Sequence, residues 1–197
     1  MEVKNKTKEM KVEFLISTYN RNNLLRCMLA SLVAQSDGDW VAHVIIDNPD
    51  SLVEQSMKES IDDDRIKYTR LEERYNDWGH TPHQLYKQKC TADYIVMTND
   101  DNYYVPTFVK ELKLAAKDSP GIVYWDMVHS HYNYQYFKCT PVINCIDIGA
   151  FATRTDLAKE VVLGTMYAAD GHFIRDFRKK FPSVKLVKID KILFVHN

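Results

Sequence analysis

The sequence is poor in cysteine, proline and glycine, and neither sign of charge dominates it. Among 197 residues there are 4 Cys, 6 Pro and 6 Gly, and the formal net charge is −1. The cysteines form no CxxC pair and no histidine spacing completes a zinc site, which argues against a zinc domain. Balanced charge without a long basic block predicts no nucleic-acid partner and no surface for anionic membranes.

Long apolar runs are missing as well. No run approaches the roughly 20 residues that a membrane-spanning helix needs, and no secretory signal pattern begins the chain. Together with the few, unpaired cysteines, these absences predict a reduced, cytoplasmic protein without a membrane span. Such a protein could still work beside a membrane.

The composition that remains is that of an ordinary globular protein, with 45% hydrophobic and 27% charged residues. A chain of this length can bury a core without disulfide or metal staples. Strand-like apolar runs alternate with helical patterns, and no internal repeat or linker interrupts them. The alternation predicts an α/β sandwich around a mainly parallel sheet, in which ligands bind beyond the carboxyl ends of the strands.

The apolar patterns give specific boundaries. Strands are predicted at 12–16, 40–46, 65–71, 93–98, 121–127, 146–153 and 185–195, and helices at 24–34, 81–90, 106–116, 155–162 and 170–181. The strand at 93–98 has no polar alternation, so both of its faces should be buried, whereas the more polar 65–71 should lie near an edge. Thr81 is predicted to cap its helix, with Pro82 at the first helical position and Gln84 completing a capping box.

Polar clusters follow the first, the second and the buried strand. Ser17 to Asn20 come after the first strand, Asp47 and Asn48 after the second, and 99–102 after the buried one. Because the carboxyl ends of parallel strands meet at one edge of a sheet, we expect the three clusters to converge there.

Asp100 and Asp101 pose the sharpest question in the sequence, because adjacent carboxylates at the end of a buried strand repel each other and lose hydration. Mg²⁺ or Mn²⁺ would compensate them, since these cations prefer oxygen ligands and often take one or two carboxylates plus substrate phosphates. A nucleotide diphosphate would supply those phosphates. The alternative is that 99–102 forms only an Asx turn before the helix that Pro106 opens.

Further candidates surround this turn. Asp47 could accept hydrogen bonds from a ribose hydroxyl or a base edge, or it could be a solvated turn residue. The turn Thr18-Tyr19-Asn20-Arg21 precedes a helix N-terminus, which favours anions, and Tyr19 could stack on a base. Arg74 and Trp78 could line a sugar-diphosphate pocket, although a Trp in such a loop often serves as an anchor.

The second half of the chain offers catalytic candidates. Asp170 begins an amphipathic helix and is either an N-cap or a general base aimed at an incoming hydroxyl. His196 is either the single imidazole ligand of an oxygen-rich metal site or a surface residue. The stretch 129–136, HSHYNYQY, is too polar for a core, and a mobile acceptor-binding loop is plausible because aromatic faces stack on sugars.

Five stretches in order resemble a known family. FLISTYNRNNLLRCMLASLVAQ, WVAHVIIDN, ADYIVMTNDDNYYVP, IDIGAFATRTDL and AADGHFIRDF are similar to GT-A fold glycosyltransferases of the family-2 type. The resemblance implies a single domain over 1–197, with 1–105 as the nucleotide-binding half and 106–197 as the acceptor and catalytic half. The chain could belong to a longer polypeptide. Its length and its departures from the family also suggest a virus-encoded glycosyltransferase domain, acting in the host cytoplasm.

The resemblance implies a nucleotide-sugar donor, most commonly a UDP-sugar, held with Mn²⁺ or Mg²⁺ at an Asp-x-Asp motif. Asp101 takes the second Asp position and is the expected metal ligand, and Asp100 takes the variable middle position. Asn99 replaces the first Asp, a departure that still allows a hydrogen bond to ribose or water but weakens metal binding. Asp47 matches the acid that contacts the nucleoside.

The same resemblance carries the chemistry. Asp170 matches the catalytic base, with Ala169 in place of the usual Glu, and His196 matches a histidine that completes the metal shell in some relatives. Asp170 would take the proton of a glycan hydroxyl that attacks opposite the leaving diphosphate, in a single inverting displacement assisted by the cation.

Two other functions remain open. The Asn99 departure allows a non-catalytic module that binds nucleotide sugars or glycans. A sugar nucleotidyltransferase is disfavoured because STYNRNN contains no glycine for a phosphate loop.

Overall fold

The computed structural model describes residues 10–197 of the chain. Residues 1–9 lie outside the described residues. The prediction that no secretory signal begins the chain and the start of the predicted domain 1–197 both fall on them. The strands are β1 (Val12–Thr18), β2 (Trp40–Ile46), β3 (Ile66–Arg70), β4 (Tyr94–Asn99), β5 (Tyr103–Tyr104), β6 (Ile122–His129), β7 (Gln135–Phe137), β8 (Phe151–Arg154) and β9 (Leu186–His196). The helices are α1 (Asn22–Val33), α2 (Val53–Lys58), α3 (His80–Lys87), α4 (Phe108–Ala115), α5 (Thr155–Lys159) and α6 (Ala169–Lys180).

All strands join one mixed sheet in the order β3-β2-β1-β4-β8-β6-β9-β5, and β7 pairs with β6 outside this path. The half built from β3, β2, β1 and β4 is parallel. In the other half, β8 runs antiparallel to both β4 and β6, whereas β6 and β9 are parallel. The predicted α/β architecture is therefore confirmed, with the antiparallel pairs concentrated in the second half.

The register of the parallel half brings the ends of three strands to one edge. Thr18 of β1 pairs with Ile46 of β2, and Ser17 pairs with Asn99 of β4. Every residue of β1 is buried, because both faces of this central strand are covered. The segments that follow β1, β2 and β4 therefore leave the sheet side by side.

An aromatic cluster anchors the turn that follows β4. The Tyr104 ring lies 4.5 Å from that of Phe108, and the Phe108 ring lies 4.7 Å from that of Trp125. All three side chains are fully buried, and each such ring contributes about 1.5–3 kcal/mol of hydrophobic burial. The carboxylate turn between β4 and β5 is thus held on a rigid base.

Helix α3 begins differently from the prediction. Gly79, with φ 85°, is its N-cap, so Thr81 is not. The Thr81 hydroxyl and amide both donate to Asp77 Oδ2, at 2.5 and 2.9 Å, and Gln84 Oε1 accepts from the Leu163 amide at 2.8 Å. The capping-box prediction is wrong because the Thr81 side chain is hydrogen-bonded to Asp77 and the Gln84 side chain to Leu163, in the segment after α5.

Other boundaries follow the prediction more closely. β3 forms an edge of the sheet and β4 is buried up to its last residue, both as predicted. The predicted strand 146–153 is wrong in its first half, since a 3₁₀ turn at Ile148–Ala150 precedes β8. Within residues 10–197, no helix is long and apolar enough to cross a membrane.

Candidate functional site

The polar clusters predicted from the sequence lie together at the carboxyl edge of the parallel half. The Asp47 amide donates to the Thr18 carbonyl at 2.9 Å, and the Asp100 amide donates to the Ser17 carbonyl at 3.1 Å. These bonds extend the parallel pairing past the strand ends. They fix both acidic segments against the turn that follows β1.

Arg21 joins the two carboxylates of the turn after β4. Its Nη2 forms an ion pair with Asp100 Oδ1, its Nε lies 3.3 Å from Asp100 Oδ2, and its Nη1 lies 2.6 Å from Asp101 Oδ2. Thr18 adds a hydrogen bond of 2.6 Å from Oγ1 to Asp100 Oδ2. In this structure Arg21 and Thr18 therefore compensate the adjacent carboxylates.

The two carboxylates differ in exposure. The Asp100 side chain is fully buried, whereas 20% of the Asp101 side chain is exposed. Burial raises the pKa of Asp100 to about 6, although the Thr18 hydrogen bond and the Arg21 charge act to lower it. Asp100 is thus the inner member of the pair, and Asp101 is the member that a ligand from solvent reaches more easily.

Asp47 organises the loop that follows β3. Its side chain is buried, and its two oxygens accept the backbone amides of Tyr75 and Asn76 at 2.8 and 3.0 Å. A carboxylate oxygen has a second lone pair, so each can also accept from a ligand. The structure therefore gives Asp47 a loop-building role that the sequence alone did not indicate.

The loop built on Asp47 places an arginine over the first turn. The Arg74 guanidinium carbon lies 3.7 Å from the centre of the Tyr19 ring, and Arg74 Nη2 donates to Asn76 Oδ1 at 2.7 Å. Asn20, with φ 50°, accepts from Asn48 Nδ2 at 2.8 Å. Tyr19 and Arg74 thus form a stacked, solvent-facing pair, and a planar base could extend that stack.

Gly79 fits closely between two strand ends. A Cβ at this position would lie 2.6 Å from Ser17 Cβ and 3.0 Å from Asn99 Oδ1, which only glycine avoids. The neighbouring Trp78 has φ 58° and is 71% exposed, and its ring lies 6.1 Å from the His80 ring. The chain therefore presents Trp78 as an exposed indole beside the carboxyl edge, next to the ring of His80.

His196 lies at the end of β9 among polar neighbours. Its ring stacks on that of His129 with 4.1 Å between ring centres, and its Nδ1 lies 3.3 Å from Ser130 Oγ. Its Nε2 lies 3.6 Å from Asp147 Oδ2, and Asp147 Oδ1 accepts the Gly149 amide at 2.8 Å. Burial raises the pKa of Asp147, the nearby His196 lowers it, and the charge of Asp101 raises it further.

Asp170 lies in the first turn of α6, after an Ala168 N-cap in the left-handed conformation. Its Oδ1 accepts the Gly171 amide at 2.6 Å, which fixes the orientation of the carboxylate. Burial raises the pKa of Asp170 to about 7, and the charge of Asp147 adds to the increase. A carboxylate with this pKa is suited to accept a proton near neutral pH.

The donor set of this edge suits a hard cation that takes few protein ligands. Within the described part of the chain, no group of at least three His, Cys, Asp or Glu side chains is arranged as a complete metal site. Asp101 and His196 nevertheless offer a partly exposed carboxylate and imidazole, each side chain being 20% exposed. Mn²⁺ and Mg²⁺ can be held by one or two such ligands when a diphosphate provides the rest.

Sequence reasoning missed Asp147, whose pKa is raised by the charge of Asp101 and whose own charge raises the pKa of Asp170. The available signal was a lone acid between Ile146 and Ile148, inside the strand predicted at 146–153. An acid in an apolar stretch needs a partner, and here the partners are a backbone amide and His196.

The comparison with family models decides the classification. Residues 13–179 match the model described as glycosyl transferase family 2. The chain belongs to this family. The resemblance predicted from the motifs is thereby confirmed, and the family match extends from β1 into the last turn of α6. No curated protein sequence matches this member of family 2.

Solved structures agree with this family-2 assignment at the level of fold. TarS 1–349 of S. aureus superimposes with a TM-score of 0.78 at 16% identity, over 95% of this chain and 60% of that chain. The same protein in complex with UDP-GlcNAc gives a TM-score of 0.76 at 15% identity, over 94% and 58%. These identities support the GT-A glycosyltransferase fold alone.

A mannosyltransferase has the same fold. PcManGT of Pyrobaculum calidifontis, in complex with GDP-Man and Mn²⁺, superimposes with a TM-score of 0.74 at 16% identity. The superposition includes 96% of this family-2 chain and 57% of the mannosyltransferase chain. The chain therefore spans a little over half the length of that protein.

Proposed function

We propose that the protein is a metal-dependent, inverting glycosyltransferase that moves a sugar from a nucleotide sugar, most favourably a UDP-sugar, to a hydroxyl of a glycan acceptor. The observation that carries this proposal is the acidic edge of a family-2 chain. There, the charge of the partly exposed Asp101 raises the pKa of Asp147, and the charge of Asp147 in turn raises the pKa of Asp170.

The residues in 1–105 are proposed to bind the donor. Asp47 lies beside the stacked pair of Tyr19 and Arg74, where a base and ribose would find an acceptor and an aromatic face. Asn99 offers an amide to the ribose. TarS 1–349 in complex with UDP-GlcNAc and PcManGT in complex with GDP-Man support a nucleotide-sugar donor and leave uridine and guanosine as the nucleosides to compare.

Asp101 and His196 are proposed to hold Mn²⁺ or Mg²⁺, in agreement with the Mn²⁺ of the mannosyltransferase complex. The bound cation would neutralise the charge that develops on the departing diphosphate. Asp147 Oδ2 lies 3.6 Å from His196 Nε2, so a negative charge lies beside the ring that is proposed to hold the cation.

Asp170 is proposed to accept the proton of the acceptor hydroxyl. The Gly171 amide orients its carboxylate, and burial with the Asp147 charge gives a pKa of about 7, so a large fraction is ionised and basic at neutral pH. Attack on the face opposite the diphosphate would invert the anomeric carbon. The fixed positions of base and donor residues reduce the entropy cost of that attack.

The acceptor is proposed to bind over residues 129–136 in the second half of the chain. Tyr132, Tyr134 and Tyr136 are 54%, 54% and 56% exposed, and the Tyr134 hydroxyl donates to Asn197 beside His196. Aromatic faces exposed next to a catalytic edge suit the apolar faces of sugar rings.

The test is release of nucleotide from UDP-GlcNAc, other UDP-sugars and GDP-Man, with Mn²⁺, by the wild type and Asp170→Asn. The proposal expects release for at least one donor, and a loss of about 10²–10⁴-fold in Asp170→Asn with nucleotide affinity retained. Asp176→Asn, on the exposed side of the same helix, is the matched control.

A non-catalytic binding module is the second candidate, favoured by Asn99 in place of a metal-binding acid. Nucleotide binding by the wild type without turnover of any donor, even with acceptor glycans present, would support the module and contradict the transferase.

A further inference from the structure

The fork of Arg21 spans both carboxylates of the turn after β4. Its three nitrogens reach Asp100 Oδ1, Asp100 Oδ2 and Asp101 Oδ2. A planar guanidinium matches carboxylate geometry and never loses its charge near neutral pH. One guanidinium therefore supplies a counter-charge to both acids.

The same contact obstructs a divalent cation. Arg21 Nη1 lies 2.6 Å from Asp101 Oδ2 and donates to it, so a cation on either oxygen of this carboxylate would lie within a few ångströms of the guanidinium and share the negative charge with it. Two positive groups at that separation would also repel each other strongly. A cation arriving alone must therefore bind against the charge of Arg21 or turn the guanidinium away from Asp101.

A diphosphate changes this balance. Arg21 immediately precedes α1, whose free backbone amides favour anions, and 43% of its side chain is exposed. The guanidinium can turn from Asp101 toward a phosphate and keep a bidentate partner. Asp100 keeps the Thr18 hydrogen bond at 2.6 Å during that exchange.

We infer that Arg21 is a built-in counter-cation that makes metal binding at Asp101 conditional on a nucleoside diphosphate, which takes over the guanidinium as the cation arrives. This inference rests on the proposed function, because it concerns the same metal and donor site. It adds that metal and nucleotide bind as a coupled pair, and that Arg21 sets the coupling.

The test is titration of Mn²⁺ into the full chain, followed by the electron paramagnetic resonance signal of free Mn²⁺, first without nucleotide and then with UDP or GDP. Arg21→Gln should bind Mn²⁺ alone about tenfold more tightly than the wild type, since a charge-assisted contact no longer competes. Added nucleotide should tighten Mn²⁺ binding less in Arg21→Gln than in the wild type, because coupling is reciprocal.

Two further variants keep the test decisive. Arg26→Gln removes an exposed arginine from α1, the helix that Arg21 precedes, and should leave Mn²⁺ binding at the wild-type value. Arg21→Lys keeps the charge without the fork and should fall between wild type and Arg21→Gln, which also covers the case in which Arg21→Gln does not fold.

The outcomes separate this inference from the proposed function. Tight Mn²⁺ binding by the wild type without nucleotide, or no gain in either Arg21 variant, would overturn the counter-cation role. Failure of every nucleotide to bind, with or without Mn²⁺, would instead count against the proposed function, while the Mn²⁺-only titration still reports on Arg21.

Discussion

Thr18 and Asp100, which are 82 positions apart in the sequence, are joined by a hydrogen bond of 2.6 Å from Oγ1 to Oδ2. Thr18 is 2% exposed and Asp100 is fully buried. The bond ties the end of β1 to the turn after β4.

Replacing Thr18 with Val removes this donor at nearly constant volume. The buried Asp100 oxygen then keeps only Arg21, so the free energy of unfolding should fall by about 1–2 kcal/mol in urea titrations. The pKa of Asp100 should also rise above its value of about 6, because the Thr18 bond lowers it. Thr18→Ser keeps the hydroxyl and should match the wild type in both quantities. Unchanged stability in Thr18→Val would show that the Thr18–Asp100 hydrogen bond does not stabilise the fold.

Asp47→Asn tests the loop that Asp47 builds. An amide can accept only one of the two backbone N–H groups of Tyr75 and Asn76 and turns its own NH₂ toward the other. The loop carrying Arg74 should loosen, and nucleotide affinity measured by calorimetry should fall about tenfold. Asp50→Asn, in the exposed turn that follows, should bind like the wild type, and equal affinities for both variants would refute the role of Asp47.

Gly79→Ala tests the close packing between the α3 N-terminus and the strand ends. The new methyl would lie 2.6 Å from Ser17 Cβ, and the backbone has φ 85°, so we expect a loss of about 2–4 kcal/mol in thermal or urea unfolding. Gly164→Ala is the matched control, since a Cβ there meets no atom within 4 Å. If Gly79→Ala were as stable as Gly164→Ala, the described packing of this loop would be incorrect.

The pH dependence of kcat/KM tests Asp170. A general base works only when it is unprotonated, so activity should fall as the pH drops below about 7, the pKa to which burial and Asp147 raise this carboxyl. Asp147→Asn removes a negative neighbour and should move this acid limb to lower pH. If kcat/KM of the wild type fell only near pH 4, or if Asp147→Asn did not shift the pH at which it falls, Asp170 would not be the general base.

Much of the fold could be predicted because its signals are local. β2 has the predicted bounds, and β1, β4 and α6 lie within a few residues of theirs, since apolar runs and helical stripes mark them directly. α2, β5 and β7 were not predicted, because elements of 6, 2 and 3 residues are too short for a periodic pattern.

The parts of the site that the sequence did not indicate depend on contacts between distant residues. The Arg21 contacts to Asp100 and Asp101 span 79 and 80 positions, and those of Asp47 depend on the path of a loop with positive φ at Asn76. Asp147 folds its own segment into a turn through Gly149, which a strand pattern cannot foresee. The sequence thus predicted that the acids after β2 and β4 lie at one edge of the sheet, but not their contacts with Arg21 and with the loop after β3.

The measurement that tests the central claim most directly is calorimetric titration of UDP and GDP, with and without Mn²⁺, into the wild type and Asp101→Ala. The account predicts that one nucleotide binds with Mn²⁺ and much more weakly without it, and that Asp101→Ala abolishes the difference. Binding that is equally tight without Mn²⁺, or a metal dependence that survives in Asp101→Ala, would contradict a cation site at Asp101.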